Sequence, residues 1–226
     1  MTDQEKLGFR ILAAPPPLEG TILERFRSAA SSNLADAMGR FGFMDPGIVS
    51  RTGRRLSGTA VTVQCRPGDN LMVHKALDVA APGEIVVVTT CGNTTNAIFG
   101  ELMAHAAVAR RLGGIVVDGA IRDVPGIGAL GLPAFSRAVC AGSCDKDGPG
   151  EVNVPVSCGG VVVMPGDVVV GDEDGVVIVP RGAVRQVLEN LETLVERERK
   201  RVAEIKAGVV SKPDVDQTLR RHGVIP

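Results

Sequence analysis

The chain has 226 residues, of which 44% are hydrophobic, and a formal net charge of −1 at pH 7. This length and composition allow a substantial buried core, which excludes a largely disordered protein. The near-zero charge, the lack of Trp and Tyr and the presence of only six Phe argue against a nucleic-acid partner, since such a protein needs basic surface and stacking rings. No apolar run approaches the roughly 18 residues of a membrane helix. We therefore expect no membrane partner, and no signal peptide is recognised.

The cysteines and histidines are spread along the chain. Five cysteines lie at positions 65, 91, 140, 144 and 158, and none forms a C-x-x-C pair. An odd number of cysteines without a signal peptide predicts reduced thiols and a cytoplasmic location. We expect these thiols to be buried and inert. Cys140 and Cys144 lack the second pair of a zinc site, and the three histidines are too scattered to predict a metal cluster.

The first half of the chain alternates between predicted helices and strands. Residues 1–20 are polar and then Pro-rich, which predicts an arm on the surface. Thr21-x-x-Glu24 is a capping-box pattern that predicts a helix Ile22–Ala30. A second helix should begin at Ser32-Asn33 and end at Gly39 or Gly42. The later predicted segments are strand Gly58–Cys65, helix Asn70–Ala80, strand Glu84–Thr90, helix Gly100–Leu112, and strands Gly114–Asp118, Val161–Met164 and Val168–Val170.

The C-terminal part is predicted to contain a hairpin and one long helix. Val168–Pro180 has the pattern of a β-hairpin that turns at Asp174-Gly175. Residues Ala183–Ala207 predict a charged helix, which Gly208 ends. Its apolar stripe is Val187, Leu188, Leu191, Leu194 and Val195. The alternation of strands and helices predicts an α/β fold. We predict a single domain at residues 21–208, between an arm at 1–20 and a polar tail at 209–226.

One candidate functional stretch runs from Gly113 to Gly126. The sequence predicts a strand that ends at Asp118, turns at Gly119 and leads to Arg122 and Asp123. Ligands bind at the carboxyl ends of strands in α/β folds, so Arg122 could bind an anion and Asp123 a metal. The alternative is structural, because Asp123 before Val124-Pro125 is also a good helix N-cap. Nucleotide-binding and serine-hydrolase signatures are absent.

A second candidate stretch, Asn93–Met103, follows the strand that ends at Thr90. Free backbone N–H groups at the following helix start would suit a carboxylate ligand. Glu101 in the first turn could equally be explained by the helix dipole. Twenty residues separate Glu101 from Arg122, a gap that one helix and one returning strand can span. This spacing predicts that both stretches reach the same edge of the sheet.

Several segments together carry a family resemblance, which covers Ser31 to Gly208. These segments are Asn33–Met38, Gly58–Val63, Pro67–Asn70, Gly100–Leu102, Asp118–Asp123, Pro165–Asp167 and Asp172–Val177. The chain resembles the class II pyruvate aldolases that cleave 4-hydroxy-4-methyl-2-oxoglutarate and 4-carboxy-4-hydroxy-2-oxoadipate, which are related to the regulator of ribonuclease activity A. In that family an acidic residue, twenty spacers and Arg-Asp mark the enzymes. Glu101 stands at the acidic position, where the family uses Asp or Glu.

The resemblance implies a fold, a cofactor and a set of roles. It implies a single layered αββα-type domain, similar to a swivelling domain, and a homotrimer or homohexamer with sites between subunits. It implies that Asp123 binds a divalent cation, Mg²⁺ or Mn²⁺, and that Glu101 holds a water on that metal. The substrate would be a 4-hydroxy-2-oxo dicarboxylic or tricarboxylic acid, with oxaloacetate decarboxylation as a side activity. The implied substrate contacts are Gly100, Glu101, Leu102, Met103 and Arg122.

Other interpretations stay open from sequence. A catalytically silent regulator that binds a ribonuclease or another protein is the alternative function. Lys75 could form a Schiff base, although an exposed helix face explains it better. Asp172–Gly175 is better explained by a hairpin turn than by a calcium loop. Pro67–Asn70 is better explained by a turn and helix cap, and the alternative from the resemblance is a position near the active site. Glu196 and Glu198 lie on a solvated helix face that could reach a neighbouring subunit. The residues that bind a distal substrate carboxylate are not identified.

Overall fold

The computed structural model describes residues 6–226, apart from the side chain of residue 213. Within this range the helices are α1 Gly20–Arg27, α2 Ser31–Ala37, α3 Leu71–Val79, α4 Glu101–Ala109, α5 Val124–Ala129, α6 Val184–Lys206 and α7 Pro213–Arg221, with a 3₁₀ turn at Arg181–Ala183. The strands are β1 Val49–Ser50, β2 Leu56–Cys65, β3 Ile85–Thr89, β4 Ala97–Phe99, β5 Gly114–Ile121, β6 Ala134–Val139, β7 Gly150–Val152, β8 Val156–Cys158, β9 Val161–Val163, β10 Val168–Asp172 and β11 Gly175–Val179.

The main sheet has the strand order β1-β6-β5-β3-β2-β10-β11. Strands β2, β3, β5 and β6 are parallel neighbours, and β4 pairs in parallel with the end of β5. Every residue of β3 and β5 is buried. Such continuous Val- and Ile-rich runs are expected of parallel strands covered on both faces. The carboxyl ends of β4 and β5 therefore lie side by side.

The two ends of the sheet approach each other. Phe43, shortly before β1, forms an isolated antiparallel bridge with Val177 of β11. The result is a nearly closed, barrel-like sheet. Its interior is filled by an apolar cluster that includes Leu56, Phe135 and Ile178. The predicted α/β class, with N-terminal helices and a long C-terminal helix, is confirmed.

Helices cover the outer faces of the sheet. On one side α3 and α4 pack on the strands, and the buried Ala104 and Ala107 of α4 allow a close approach. On the other side α1, α2 and α6 cover β10 and β11. The predicted stripe of α6 is buried from Val187 to Leu194, but Val195 is 46% exposed.

Two predicted helix details differ from the structure. Helix α1 begins at Gly20, two residues before the predicted Ile22, and no side chain caps its first N–H groups. The predicted capping box is therefore wrong, because Thr21 lies inside the helix. Helix α2 begins at Ser31, whose backbone N–H and hydroxyl both donate to the buried carboxylate of Asp172. This long-range cap is invisible to local sequence patterns.

Strand β5 does not turn at Gly119, as the sequence suggested, but continues to Ile121. A Cβ at Gly119 would lie 2.4 Å from the Thr90 hydroxyl oxygen. The glycine is therefore required for a close approach of the neighbouring loop, not for a turn. The predicted hairpin is present, but Asp172 pairs with Gly175, so its two-residue turn is Glu173-Asp174.

The predicted arm and tail both contain structure. Ile11 of the arm bridges to Val152, and the N–H of Gly8 donates to Glu151. The tail contains helix α7 rather than only irregular chain. The sequence also missed β1, β4, β6, β7, β8 and α5. No helix within residues 6–226 combines the length and apolarity that crossing a membrane requires.

The five cysteines are unpaired, as predicted. Only Cys65 and Cys158 are buried, so the expectation that all are buried is wrong. Burial raises the pKa of the Cys65 thiol to about 12, with a further contribution from the charge of Asp69. A thiol in such surroundings stays protonated and unreactive.

Candidate active site

The two candidate stretches meet where β4 and β5 end. The N–H of Arg122 donates to the carbonyl oxygen of Phe99 at 2.9 Å, which extends the pairing of these strands to their ends. The N–H of Glu101 donates to Oδ2 of Asp123 at 3.3 Å. The spacing prediction that both stretches reach one edge of the sheet is therefore confirmed.

Asp123 adopts a strained conformation to reach this position. Its φ is +57°, in the left-handed region that non-glycine residues seldom occupy. It precedes α5, but its side chain makes no capping bond to that helix. Asp123 thus occupies the N-cap position, as the structural alternative predicted, but its carboxylate turns toward the start of α4. Strain of this kind costs about 1–3 kcal/mol and is concentrated at functional sites.

Gly100 makes the approach of these side chains possible. A Cβ at this position would lie 2.7 Å from Oδ2 of Asp123 and 3.1 Å from Cγ of Arg122. The φ of Gly100 is −151°, which any residue can adopt. The requirement for glycine is therefore one of space. Nε of Arg122 lies 3.6 Å from Oδ2 of Asp123, and both side chains remain nearly half exposed.

The carboxylate of Glu101 lies on the other side of this turn. It packs over α5, since a Cβ at Gly126 would lie 2.4 Å from its carboxyl carbon. Oε1 of Glu101 is also 4.0 Å from Nε2 of His105, one turn further along α4. The side chain is 49% exposed. Glu101 thus shares the sheet edge with Asp123, but it is not one of the described residues that line the adjacent cavity.

A cavity of about 170 Å³ opens beside Arg122 and Asp123. Gly100, Leu102 and Met103 of the predicted substrate contacts also line it. The N–H groups of Leu102 and Met103, in the first turn of α4, have no hydrogen-bond acceptor in the described part of the chain. The remaining lining residues are Asn70, His74, Ala97, Ile98, Phe99, Ser143, Cys144 and Lys146.

Asn70 is the most informative lining residue outside the predicted substrate contacts, and its place here agrees with the alternative position that the resemblance offered for Pro67–Asn70. It is 5% exposed and stands at the N-cap position of α3, but it makes no side-chain cap. Its Nδ2 donates to the carbonyl oxygen of Ile98 at 3.1 Å. Its Oδ1 is buried without a hydrogen-bond partner. An unpaired buried acceptor costs about 1–3 kcal/mol, and this one belongs to a residue of the cavity wall.

The turn before α3 is fixed by the buried carboxylate of Asp69. Its Oδ2 accepts hydrogen bonds from the N–H groups of Asp147 and Gly148, both at 2.8 Å, and its Oδ1 accepts one from Leu71 at 2.9 Å. Burial raises the pKa of Asp69, but these donors and the charge of Arg66 outweigh it and lower the pKa. The sequence placed Pro67–Asn70 in a turn but gave no sign of the loop that it holds.

Electrostatics in the cavity are dominated by positive side chains. Burial lowers the pKa of His74, and the nearby charge of Lys146 lowers it further, against the opposite effect of Asp78. Burial raises the pKa of the Cys144 thiol, although Lys146 and Arg122 oppose this. At neutral pH we therefore expect a neutral His74 and an inert Cys144 beside two cations.

The other sequence candidates have structural roles. Asp172 caps α2 and accepts from the N–H of Asp174, which agrees with a hairpin turn rather than a calcium loop. No group of three or more His, Cys, Asp or Glu within residues 6–226 could hold a metal ion. Lys75 is outside the set of described residues that line the cavity. Glu196 pairs with Arg199, and Glu198 accepts from Asn33.

A family model described as RraA-like, Aldolase/RraA, matches residues 31–178. The chain belongs to this family. The matched region contains the strand ends, Gly100, Arg122, Asp123 and the buried Asp172, so both candidate stretches fall within the Aldolase/RraA unit. The long helix α6 and α7 lie beyond it.

The chain is similar to a protein of Halalkalibacterium halodurans named "Putative 4-hydroxy-4-methyl-2-oxoglutarate aldolase". The two are 46% identical over 132 residues, which cover 58% of this chain and 63% of that protein. The match thus spans less than two thirds of this relative's length.

The chain is also similar to several solved structures of this fold. An uncharacterized protein from Pseudomonas syringae superposes with a TM-score of 0.76 at 29% identity, covering 86% of this chain and 96% of that one. The RNA-processing inhibitor RraA from Thermus superposes with a TM-score of 0.63 at 30% identity, covering 68% of this chain and 93% of that one. The chain is therefore similar both to an aldolase-named relative and to an inhibitor of RNA processing.

Proposed function

We propose that this Aldolase/RraA protein is a divalent-metal-dependent lyase. It cleaves a 4-hydroxy-2-oxo acid, such as 4-hydroxy-4-methyl-2-oxoglutarate, by a retro-aldol reaction that releases pyruvate. One observation carries the proposal. Arg122 and Asp123 line the same cavity as the start of α4, and Asp123 accepts a hydrogen bond from the first N–H group of that helix. The name of the Halalkalibacterium relative supports the same activity.

The cavity offers a binding place for the 2-oxo acid end of the substrate. The free N–H groups of Leu102 and Met103 stand at the positive end of α4, which favours a carboxylate. The guanidinium of Arg122 can add two parallel hydrogen bonds in a fixed plane, which a lysine cannot do. Arg122 also stabilises the negative charge that develops on the pyruvate enolate as the carbon–carbon bond breaks.

The residues present fit a weakly held, hard divalent cation. Asp123 provides the one carboxylate among the described lining residues. Mg²⁺ is commonly held by only one or two carboxylates and keeps several waters. Asp123 would hold the cation, with substrate oxygens and water as the other ligands. When bound, it would supply positive charge next to the enolate oxygen.

Proton transfer falls to the residues around this centre. The exposed carboxylate of Glu101, above α5, can act on a water at the edge of the site. The unpaired Oδ1 of Asn70 can accept a hydrogen bond from a substrate hydroxyl. Decarboxylation of oxaloacetate forms the same pyruvate enolate, so the same residues would support it as a side activity.

We further propose that the protein works as a homotrimer or homohexamer. Arg122 and Asp123 are 43% and 46% exposed, so a catalytic cavity on one chain is open to solvent. A neighbouring subunit would shield it and strengthen its electrostatic interactions. Light scattering tests this directly, and a monomer at assay concentrations would contradict it.

The function is tested by pyruvate release. The purified protein should release pyruvate from 4-hydroxy-4-methyl-2-oxoglutarate or oxaloacetate in a lactate-dehydrogenase-coupled assay with Mg²⁺. It should also exchange the methyl protons of pyruvate with solvent deuterium, which follows enolate formation without any second product. The proposal would be contradicted if the protein released no pyruvate from any 4-hydroxy-2-oxo acid and did not exchange the methyl protons of pyruvate.

A second candidate is a regulator without catalytic activity. The likeness to the Thermus inhibitor of RNA processing favours it. In that case the protein should bind a ribonuclease or another protein tightly and release no pyruvate. Arg122→Ala would then leave partner binding unchanged, whereas it should abolish the lyase reaction.

A further inference from the structure

The cavity is lined by a second polar group besides Arg122 and Asp123. His74 comes from α3 and Lys146 from the segment between β6 and β7, so neither belongs to the strand ends that form the proposed metal site. Within residues 6–226, no ion pair or side-chain hydrogen bond engages either group. They are available to a ligand in the cavity.

His74 and Lys146 lie close enough to influence each other. The charge of Lys146 lowers the pKa of His74 after burial has lowered it. The acidic residue that acts on His74 from its own helix is Asp78, which is itself paired with Arg110 at 3.1 Å. Lys146, which stands between Asp145 and Asp147 in the chain, brings a positive charge to the cavity wall, and a neutral His74 brings one N–H donor.

Hydrogen bonds hold together the two segments that carry these exposed side chains. The N–H of Asn70 donates to the carbonyl oxygen of Asp145 at 3.0 Å, and the N–H of Asp145 donates to Gly68 at 2.8 Å. Oδ2 of Asp69 accepts from Asp147 and Gly148, on the far side of Lys146. The start of α3 and the loop around Lys146 are thus clamped together by a buried carboxylate. Such support preorganises a binding site.

The described lining residues include one cation beyond the Arg122–Asp123 ion pair. Arg122 and Asp123 form an ion pair and largely cancel, so Lys146 leaves the lining with a net positive charge. A 2-oxo acid with one carboxylate would use only Arg122 and the start of α4. A second carboxylate would find a cation and an N–H donor on the same cavity wall.

We propose that Lys146 and His74 bind the distal carboxylate of the diacid substrates that the family resemblance implies. This inference rests on the proposed function, because it assigns the second end of the same substrate. Lys146 supplies the charge, His74 supplies a directed hydrogen bond, and Asp69 acts as a positioning residue for both.

Binding can be tested without turnover. The probes are 2-oxoglutarate and 2-oxopentanoate, which share a five-carbon chain and differ by a carboxylate or a methyl group at C5. Neither has a 4-hydroxyl group, so neither undergoes retro-aldol cleavage. Calorimetry with Mg²⁺ should show that the wild-type protein binds the diacid about 10-fold or more tightly than the monoacid, the scale of one hydrogen-bonded charge.

Substitutions test whether Lys146 and His74 cause the preference for 2-oxoglutarate over 2-oxopentanoate. Lys146→Met should remove most of the diacid preference and leave the Kd of 2-oxopentanoate within about 3-fold. Lys146→Arg should retain it, and His74→Ala should weaken it by a smaller factor. Lys75→Met, which removes a neighbouring charge outside the cavity, is the matched control and should change neither Kd.

The outcomes separate this inference from the proposed function. No diacid preference in the wild type, a preference that survives Lys146→Met, or equal losses for both probes would overturn the distal site. A preference that depends on Lys146, in a protein that releases no pyruvate from 4-hydroxy-2-oxoglutarate, would support the distal site and contradict the lyase. With an active enzyme, Lys146→Met should lower kcat/KM for 4-hydroxy-2-oxoglutarate and spare 4-hydroxy-2-oxopentanoate.

Discussion

The N–H of Glu101 donates a hydrogen bond to Oδ2 of Asp123, 3.3 Å away. This contact joins the first turn of α4 to the turn after β5 and so unites the two stretches that the sequence singled out. It also draws the Asp123 carboxylate away from α5, with the strained backbone that this requires.

The space that Gly100 leaves free can be tested by filling it. Gly100→Ala would place a Cβ 2.7 Å from Oδ2 of Asp123, so the carboxylate and Arg122 must move. We expect kcat/KM to fall about 10²-fold, as for a displacement of roughly 1 Å at a reacting centre, with the fold unchanged by circular dichroism. Gly20→Ala, where a Cβ meets nothing within 4 Å, should keep full activity. Full activity in Gly100→Ala would argue against the site.

The metal requirement can be tested by chelation. EDTA should abolish pyruvate release, and Mg²⁺ or Mn²⁺ should restore it, because Asp123 would be the direct protein ligand. Asp123→Ala should stay inactive at ordinary metal concentrations, whereas Asp36→Ala, on an exposed face of α2, should respond like wild type. Activity that survives EDTA, together with borohydride trapping of substrate on Lys75, would indicate a Schiff-base mechanism instead.

We expect that no other cationic side chain can replace Arg122 in catalysis. Arg122→Lys keeps the charge but loses the planar pair of donors. The decrease in kcat/KM should correspond to a loss of about 2–4 kcal/mol in transition-state stabilisation. Steady-state kinetics with the coupled assay measures this. Arg27→Lys, at an exposed ion pair with Glu24, is the control and should have no effect. A loss below about 5-fold would mean that Arg122 only adds general positive charge.

Glu101 should act on proton transfer rather than on metal binding. Glu101→Gln keeps the size and removes the charge, so kcat should fall by about 10²–10⁴, while the Mg²⁺ concentration for half-maximal activity changes little. Glu24→Gln provides an exposed control in α1. If kcat of Glu101→Gln stays within a few-fold of wild type, Glu101 is only a favourable acid at a helix start.

The buried residues Asp172 and Asp167 should contribute to the free energy of unfolding with opposite dependences on pH. Burial raises the pKa of Asp172, but hydrogen bonds from Ser31 and Asp174 and the charge of Arg55 outweigh it and lower the pKa. Its stabilising contribution is therefore full above about pH 3.9, the ordinary value, and is lost as pH falls through the folded-state pKa. Burial raises the pKa of Asp167, so its contribution is full at low pH and is lost as pH rises through that pKa.

Urea unfolding between about pH 3 and pH 6 measures this contrast. Relative to wild type, Asp172→Asn should be less stable by about 1–3 kcal/mol at pH 6, and the difference should shrink toward pH 3. For Asp167→Asn the difference should change with the opposite slope. If the stability differences of the two variants changed with pH in the same direction, the opposite pKa shifts assigned to Asp172 and Asp167 would be wrong.

The sequence by itself determined the class of fold and the location of the catalytic candidates. Val- and Ile-rich runs can bury both faces only as central strands, so β3 and the start of β5 were predicted nearly to the residue. The spacing from Glu101 to Arg122 equals one helix and one strand, a local relation that sequence distance alone encodes. The apolar stripe of α6 followed from helical periodicity in the same way.

The tertiary structure decided those side-chain contacts whose two partners lie far apart in the sequence. Asp123 resembles an N-cap locally, but a contact with Glu101 across β4 and β5 turns its carboxylate to another helix. Gly119 resembles a turn, but it admits the Thr90 hydroxyl against a continuing strand. Lys146 and His74 come from segments 72 positions apart, and the buried Asp69 brings them to one cavity. Local patterns report backbone preference and burial, whereas the direction of a polar side chain is set by whichever donor or acceptor the completed fold places within about 3 Å of it.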